Sequence, residues 1–172
     1  LNSILAIINL MTIFALSSGP GIAGISVIRV SGLDTQKVIY ELTNKELPIP
    51  RVATRRKFNK INENELIDEG ILIWFPAPNS YTGEDMAELH VHGSRGVITE
   101  IQNNLLSTKK CRIAEAGEFT KIAFVNGKIN LLKAESILIT MLSLLMYRVI
   151  HGIQAIVMDL LQLINLQWKP EE

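Results

Sequence analysis

Residues 70–94, "GILIWFPAPNSYTGEDMAELHVHGS", join two strand-like runs through a loop rich in proline and glycine. "GILIWF" is almost continuously apolar, and Pro76 and Pro78 end it because proline cannot donate a hydrogen bond to a strand ladder. Residues 86–92 alternate, with Ala87, Leu89 and Val91 on one face. We therefore predict two strands here, and hairpins are more compatible with the order of elements than a doubly wound parallel sheet.

Further strands are predicted at 11–16, at 25–30, in the basic run "RVATRRKF" and in "KCRIAEA". Helices are predicted from an N-cap at Asp34 to about Thr43, over "SRGVITEIQNNLLST" and over "GEFTKIAFVNG". "KINENELIDEG" is predicted to be a polar turn region, and residues from Ile129 onward to be helical and apolar. The predicted fold class is α+β, with a mixed or antiparallel sheet and helices, followed by an apolar helical segment.

The composition excludes several classes of protein. The chain has 172 residues, 48% of them hydrophobic, and a formal net charge of zero. This composition is typical neither of a disordered protein nor of a strongly basic one. The single cysteine, Cys111, can form neither an internal disulfide nor a cysteine-rich zinc site, so a reducing, cytoplasmic setting is expected. The apolar N-terminal run is short for a bilayer span and lacks the basic region of a signal peptide, so no membrane association is expected.

The letters G-x-G-x-x-G occur at 19–24, but the context is wrong for a dinucleotide site. Such a site needs a helix that opens on its last glycine, whereas "ISVIRV" follows Gly24 and is typical of a strand. We predict a glycine turn between two strands. The P-loop pattern G-x-x-x-x-G-K-[ST] occurs nowhere in the sequence.

Glu88, His90 and His92 share one predicted strand face, and Arg29 shares a face with Ile25 and Val27. The histidines could bind a metal with Glu88, but hydrogen-bonding histidines are favoured because no second ligand cluster is present. For Arg29 and Glu88, a structural ion pair and direct ligand contact, such as a carboxylate that accepts from an aminopyrimidine edge, are equally compatible with the residues.

Five basic residues cluster along and beside the predicted basic strand. The cluster is more typical of a solvated, protected strand edge than of an RNA-binding patch. Its members are Arg51, Arg55, Arg56, Lys57 and Lys60.

Four blocks, "MTIFALSSG", "GPGIAGISVIRVSG", "DEGILIWFPAPNSYTGEDMAELHVHGS" and "RIAEAGEFTKIAFVNGKINLLKAESI", resemble in order and spacing the N-terminal domain of the tRNA modification GTPase family (MnmE, also called TrmE). The resemblance runs from about Met11 to Ile137. It implies a folate-binding domain at 11–128 that also dimerises, a non-family extension at 1–10, and a helical segment at 129–172 that is family-like only to about 137.

The resemblance implies specific binding residues. The family's folate-contacting arginine falls on Arg29, its pterin-binding glutamate on Glu88, and its lysine after the "AGEF" helix on Lys128. The expected cofactor is formyl- or methylene-tetrahydrofolate, the one-carbon donor for the wobble uridine of tRNA. No metal site and no catalytic residue are expected in this chain.

Other properties belong to the whole family enzyme. It uses GTP, magnesium and potassium, and its GTPase domain and C-terminal cysteine motif have no counterpart in these residues. A homodimer, a flavoprotein partner of the MnmG (GidA) type and indirect contact with tRNA are implied. We expect a truncated member of the family, without GTPase activity of its own. A folate-dependent aminomethyltransferase and an inactive remnant or interaction fragment remain as alternatives.

Overall fold

The computed structural model describes residues 11–19, 23–61, 63 and 65–130, and beyond these 132, 133, 135–137, 139, 140, 143, 146, 147 and 149. The chain consists of two compact units, Leu1–Lys128 and Ile129–Glu172. The expected extension at 1–10 and positions 150–172 of the predicted helical segment lie outside the described residues. The described residues between 132 and 149 are helical, and the apolar helical segment as a whole stays a prediction.

In its described residues, the first unit contains one six-stranded sheet in the order β3-β4-β5-β2-β1-β6. The strands are β1 (Thr12–Leu16), β2 (Ile25–Ser31), β3 (Thr54–Asn59), β4 (Leu66–Phe75), β5 (Met86–His92) and β6 (Cys111–Ile113). The β1–β6 pair is parallel and the other pairs are antiparallel. The helices are α1 (Thr35–Thr43), α2 (Arg95–Ser107) and α3 (Glu118–Val125). The predicted α+β class, with a mixed sheet, is confirmed.

The hydrophobic core lies between one face of the sheet and helices α1 and α2. Apolar side chains recur at helical spacing along both helices, so each presents one stripe to the sheet. Strand residues contribute by alternation, which sends every second side chain into the core. Fully buried core residues include Phe14, Ile28, Val30, Val38, Ile39, Leu42, Phe58, Leu72, Ala87, Leu89, Ile101 and Leu105. In the described part of the chain, no helix is both long and apolar enough to cross a membrane.

One local prediction is wrong, and a second is confirmed in position but not in its side-chain contact. Residues 66–70 belong to β4 rather than to a polar turn, because cross-strand pairing satisfies their charges: Arg55 Nε lies 2.9 Å from Glu69 Oε1. Asp34 is the N-cap residue of α1, as predicted, but its side chain accepts no hydrogen bond from a backbone N–H of the helix. Its carboxylate instead accepts from Lys37 Nζ at 2.8 Å, and its N–H donates to Thr12 Oγ1.

Strand β6 and helix α3 are tied together by a short ion pair. Arg112 Nη1 lies 2.9 Å from Glu118 Oε2, which also accepts the Glu115 N–H at 2.8 Å. The hydrogen-bonded Arg112 guanidinium outweighs partial burial and holds the pKa of the Glu118 carboxyl below its usual range. Because the pKa is lowered on folding, ionised Glu118 stabilises the fold above the unfolded-state pKa, and this contribution is lost as the pH falls through the folded-state pKa.

Glu118→Gln is therefore expected to lower the free energy of unfolding by about 1–2 kcal/mol at neutral pH. The variant should also lose less stability than the wild-type chain as the pH falls below about 4.5. Urea unfolding at a series of pH values measures both effects. Glu115→Gln, which changes an exposed carboxyl in the same connection, is the matched control. Equal acid sensitivity in the wild type and Glu118→Gln would contradict the assignment.

Candidate functional site

The predicted site residues Arg29 and Glu88 meet on the sheet face opposite α1 and α2. Strands β2 and β5 are antiparallel neighbours, and their register places Arg29 directly across from Glu88. Their strand neighbours Ile28 and Leu89 are fully buried in the core. Alternation therefore fixes Arg29 and Glu88 on the other face, where Val27 lies across from His90. We call this surface the open face.

The Glu88 carboxylate is held by two donors. Arg29 Nε lies 2.8 Å from Oε1, and His90 Nε2 lies 3.3 Å from Oε2. The Glu88 side chain is 14% exposed and that of Arg29 is 37% exposed. An ionised carboxylate has about four lone-pair positions, so these two bonds leave room for further donors. The structural ion pair foreseen for Arg29 is present, and it does not exclude ligand contact.

Tyr81, in the loop between β4 and β5, lies beside this pair. Its ring centroid is 6.0 Å from Arg29 Cζ, within the range of a cation–π contact. Its hydroxyl lies 3.2 Å from Thr120 Oγ1 on α3. We did not predict Tyr81 as a site residue. An aromatic residue inside an otherwise polar loop was the available signal, but its position over Arg29 depends on how the loop folds back.

Lys128, which follows α3, contacts the same loop near its start. Its Nζ donates to the Pro78 carbonyl oxygen at 2.8 Å, whereas Arg29 and Glu88 bond each other. Asn126 Nδ2 donates to the Thr82 carbonyl oxygen at 2.8 Å, which anchors the loop to the end of α3. Gly83 has a positive φ of 81°, and a Cβ there would press on Asn126 and Lys128 at 3.2 Å. The loop thus connects Lys128 with the neighbourhood of Arg29.

The two histidines of β5 take different carboxylate partners. His90 contacts Glu88, whereas the His92 ring Nδ1 lies 2.8 Å from Asp68 Oδ1 and the His92 N–H donates to Oδ2 at 2.9 Å. Burial acts to raise the pKa of Asp68, but the hydrogen bonds from His92 outweigh it and lower that pKa. Within the described residues, no three His, Cys, Asp or Glu side chains are grouped so as to hold a metal.

The basic run lies along β3, an edge strand, and near the turn that follows it. Arg55 pairs with Glu69, and Lys60 Nζ lies 2.8 Å from Glu65 Oε2. Arg51 lies over the Phe75 ring, with its Cζ 5.5 Å from the centroid. These contacts favour the protected-edge interpretation over an RNA-binding patch, since Arg55 and Lys60 are paired with carboxylates in the described part of the chain.

The glycine segment before β2 shows no dinucleotide-binding context. Strand β2 begins at Ile25, directly after Gly24, and pairs antiparallel with β1. The Gly93 N–H donates to the Gly24 carbonyl oxygen at 3.3 Å. Residues 20–22 lie outside the described residues. The predicted strand after the last glycine is confirmed, and no helix begins there to receive a pyrophosphate.

Comparison with known proteins identifies close relatives. The family model described as the N-terminus of GTP-binding protein TrmE matches residues 12–128. A tRNA modification GTPase MnmE of Pelagibacter ubique is 67% identical over 127 residues, 74% of this chain and 29% of that protein. MnmE of a Bradyrhizobium species is 48% identical over 126 residues, 73% of this chain and 28% of that protein.

A mitochondrial relative is also similar. The 5-taurinomethyluridine-[tRNA] synthase subunit GTPB3 of Danio rerio is 45% identical over 126 residues, which cover 73% of this chain and 25% of that protein. The chain therefore spans less than a third of the length of each of these curated relatives.

Proposed function

This chain belongs to the family of TrmE N-terminal domains, and we propose that its first unit binds a reduced folate at Arg29, Glu88 and Lys128. The ligand is formyl- or methylene-tetrahydrofolate, which carries the one-carbon unit used to modify the wobble uridine of tRNA. One observation carries the proposal: Glu88 is a carboxylate only 14% exposed, held by two donors at the open face.

The chemistry of Glu88 suits the pyrimidine edge of a pterin. That edge presents a ring N–H and an amino N–H side by side, and a carboxylate accepts such a pair with its two oxygens. Arg29 contacts Glu88 through Nε, so its two amino groups can donate to the pterin carbonyl oxygen. Tyr81 adds an aromatic surface beside Arg29. These groups together support recognition of a flat, hydrogen-bonding ring.

Lys128 suits the other end of the ligand. Its ammonium group is exposed and donates to a neutral carbonyl, that of Pro78. Among the described residues, no carboxylate pairs with Lys128, so its charge is available to an anion. The glutamate tail of a folate provides carboxylates for such a cation.

The wider role follows from the relatives and is part of the same proposal. The named relatives act in tRNA modification, and we propose that this chain acts there as a dimerising folate module in the cytoplasm. A flavoprotein of the MnmG (GidA) type would be its partner and tRNA an indirect one. GTP, magnesium and potassium belong to the complete family enzyme, and no catalytic residue is proposed in this chain.

Calorimetric titration of the full chain with 5-formyl-tetrahydrofolate tests the proposal, and size-exclusion chromatography of the same sample tests the dimer. We expect saturable binding by a dimer. Lys128→Gln should weaken binding of the folate about tenfold, since one charged hydrogen bond is lost, but leave binding of tetrahydropterin, which lacks the glutamate tail, unchanged. Lys121→Gln, an exposed lysine on α3, is the matched control. Absence of binding in the wild-type chain would overturn the proposal.

A further inference from the structure

His90 occupies a position that the proposed ligand set does not include. Its side chain is 28% exposed on the open face, and its Nε2 lies 3.3 Å from Glu88 Oε2. Arg29 Nε takes the other oxygen, Oε1, at 2.8 Å. The carboxylate is therefore bracketed by one donor from β2 and one from its own strand, two residues along. Two donors on two oxygens fix the plane of a carboxylate as one donor alone cannot.

We propose that His90 is a positioning residue for Glu88, and that protonation of His90 weakens ligand binding at the open face. The inference rests on the proposed folate site and adds a pH-dependent control to it. Neutral His90 donates one hydrogen bond through Nε2 and leaves the full negative charge of the carboxylate available to the ligand. The imidazolium places a full positive charge beside the same carboxylate and adds an ion-pair attraction to that bond. A ligand that donates to the same carboxylate then meets a weaker acceptor.

Among the residues that the structure describes, few other charged side chains lie next to His90 on the sheet. Across the sheet it lies opposite Val27 on β2 and Ile71 on β4, both apolar. Glu69 lies two residues before Ile71 on β4, and it is paired with Arg55. His92 lies two residues after His90 on β5, and it is paired with Asp68. Glu88, with Arg29 on its far oxygen, is therefore the charged group that His90 contacts directly, and protonation of His90 acts chiefly on Glu88.

The first test measures binding of 5-formyl-tetrahydrofolate to the full chain by calorimetry, between about pH 8 and about pH 6, where histidine titrates. We expect the wild-type affinity to fall about fivefold over this range, because the positive charge on His90 partly neutralises the carboxylate to which the ligand donates. His90→Gln keeps a side-chain N–H donor but cannot be protonated. It should bind the folate as tightly as the wild type at pH 8, and its affinity should not decrease toward pH 6. His90→Leu removes the donor and should bind about fivefold more weakly throughout.

His92→Gln is the matched control, the same substitution on the same strand face but beside Asp68. It should keep the wild-type pH dependence. Melting temperatures of all variants separate a positioning role from a structural one, since positioning changes affinity without changing stability. A pH dependence that persists in His90→Gln, or that disappears in His92→Gln, would overturn the proposal.

A second measurement needs no ligand. The Glu88 Cδ resonance, followed by NMR, should shift as histidine titrates in the wild type and in His92→Gln, but not in His90→Gln. If the wild-type chain binds no folate at any pH, the proposed function fails and the ligand-control part of this inference fails with it. The Cδ titration would then decide separately whether His90 acts on Glu88. A Cδ resonance that is unresponsive in the wild type would overturn the His90–Glu88 coupling itself.

Discussion

Replacing Glu88 with alanine is expected to lower the affinity of the chain for 5-formyl-tetrahydrofolate by at least about 100-fold. Each hydrogen bond to a charged acceptor contributes about 1.5–3 kcal/mol, and the proposed pterin edge loses two of them. The substitution also leaves Arg29 and His90 without the acceptor that each now contacts. Calorimetric titration of the wild type and the variant, under identical conditions, measures the loss.

The open face offers a matched control for this substitution. Glu69 is also a strand carboxylate with an arginine partner, Arg55, but it belongs to β4 and is not part of the proposed site. Glu69→Ala should bind the folate as the wild type does. A loss of affinity of about threefold or less in Glu88→Ala would be smaller than the contribution of one neutral hydrogen bond. Such a result would show that Glu88 does not bind the pterin edge.

The largest expected effect on stability is at Gly70, in the strand that leads into the site. A Cβ at Gly70 would overlap the His90 carbonyl oxygen on β5 and lie 3.1 Å from the carbonyl carbon. Backbone atoms of a neighbouring strand cannot turn away as a flexible side chain can. Gly70→Ala should therefore lower the free energy of unfolding by about 3 kcal/mol, which chemical denaturation of the full chain measures.

Gly96→Ala is the matched control for Gly70→Ala. Gly96 lies in α2, where a Cβ would meet nothing within 4 Å. Alanine is the better helix former, so this variant should be more stable than the wild type by about 0.5 kcal/mol. Equal stability of the two variants would show that Gly70 on β4 is farther from the β5 backbone at His90 than in the structure.

Most strands and helices could be predicted because the side-chain periodicity was clear. Residues 87–92 alternate between apolar and polar side chains, and Ala87 and Leu89 are fully buried while Glu88 and His90 are half-buried. The start of β4 could not be predicted, because "LIDEG" is polar and its charges are compensated on a neighbouring strand: Glu69 pairs with Arg55, which is distant in sequence. Local composition does not contain that information.

The site was predictable in part. Alternation placed Arg29 and Glu88 each on a strand face, but their contact depends on the pairing of β2 with β5 and on its register, which a single strand does not specify. The position of Tyr81 over Arg29 depends on the loop anchored by Asn126 and Thr82. The roles of Arg29, Glu88 and Lys128 in folate binding come from the family resemblance and stay predictions.

A crystal structure of the full chain with 5-formyl-tetrahydrofolate tests the central claim most directly. We expect the pterin on the open face, with its ring N–H and amino group within about 3 Å of the two Glu88 oxygens and the glutamate tail directed to Lys128. A folate bound elsewhere, with the Glu88 carboxylate still held only by Arg29 and His90, would contradict the account.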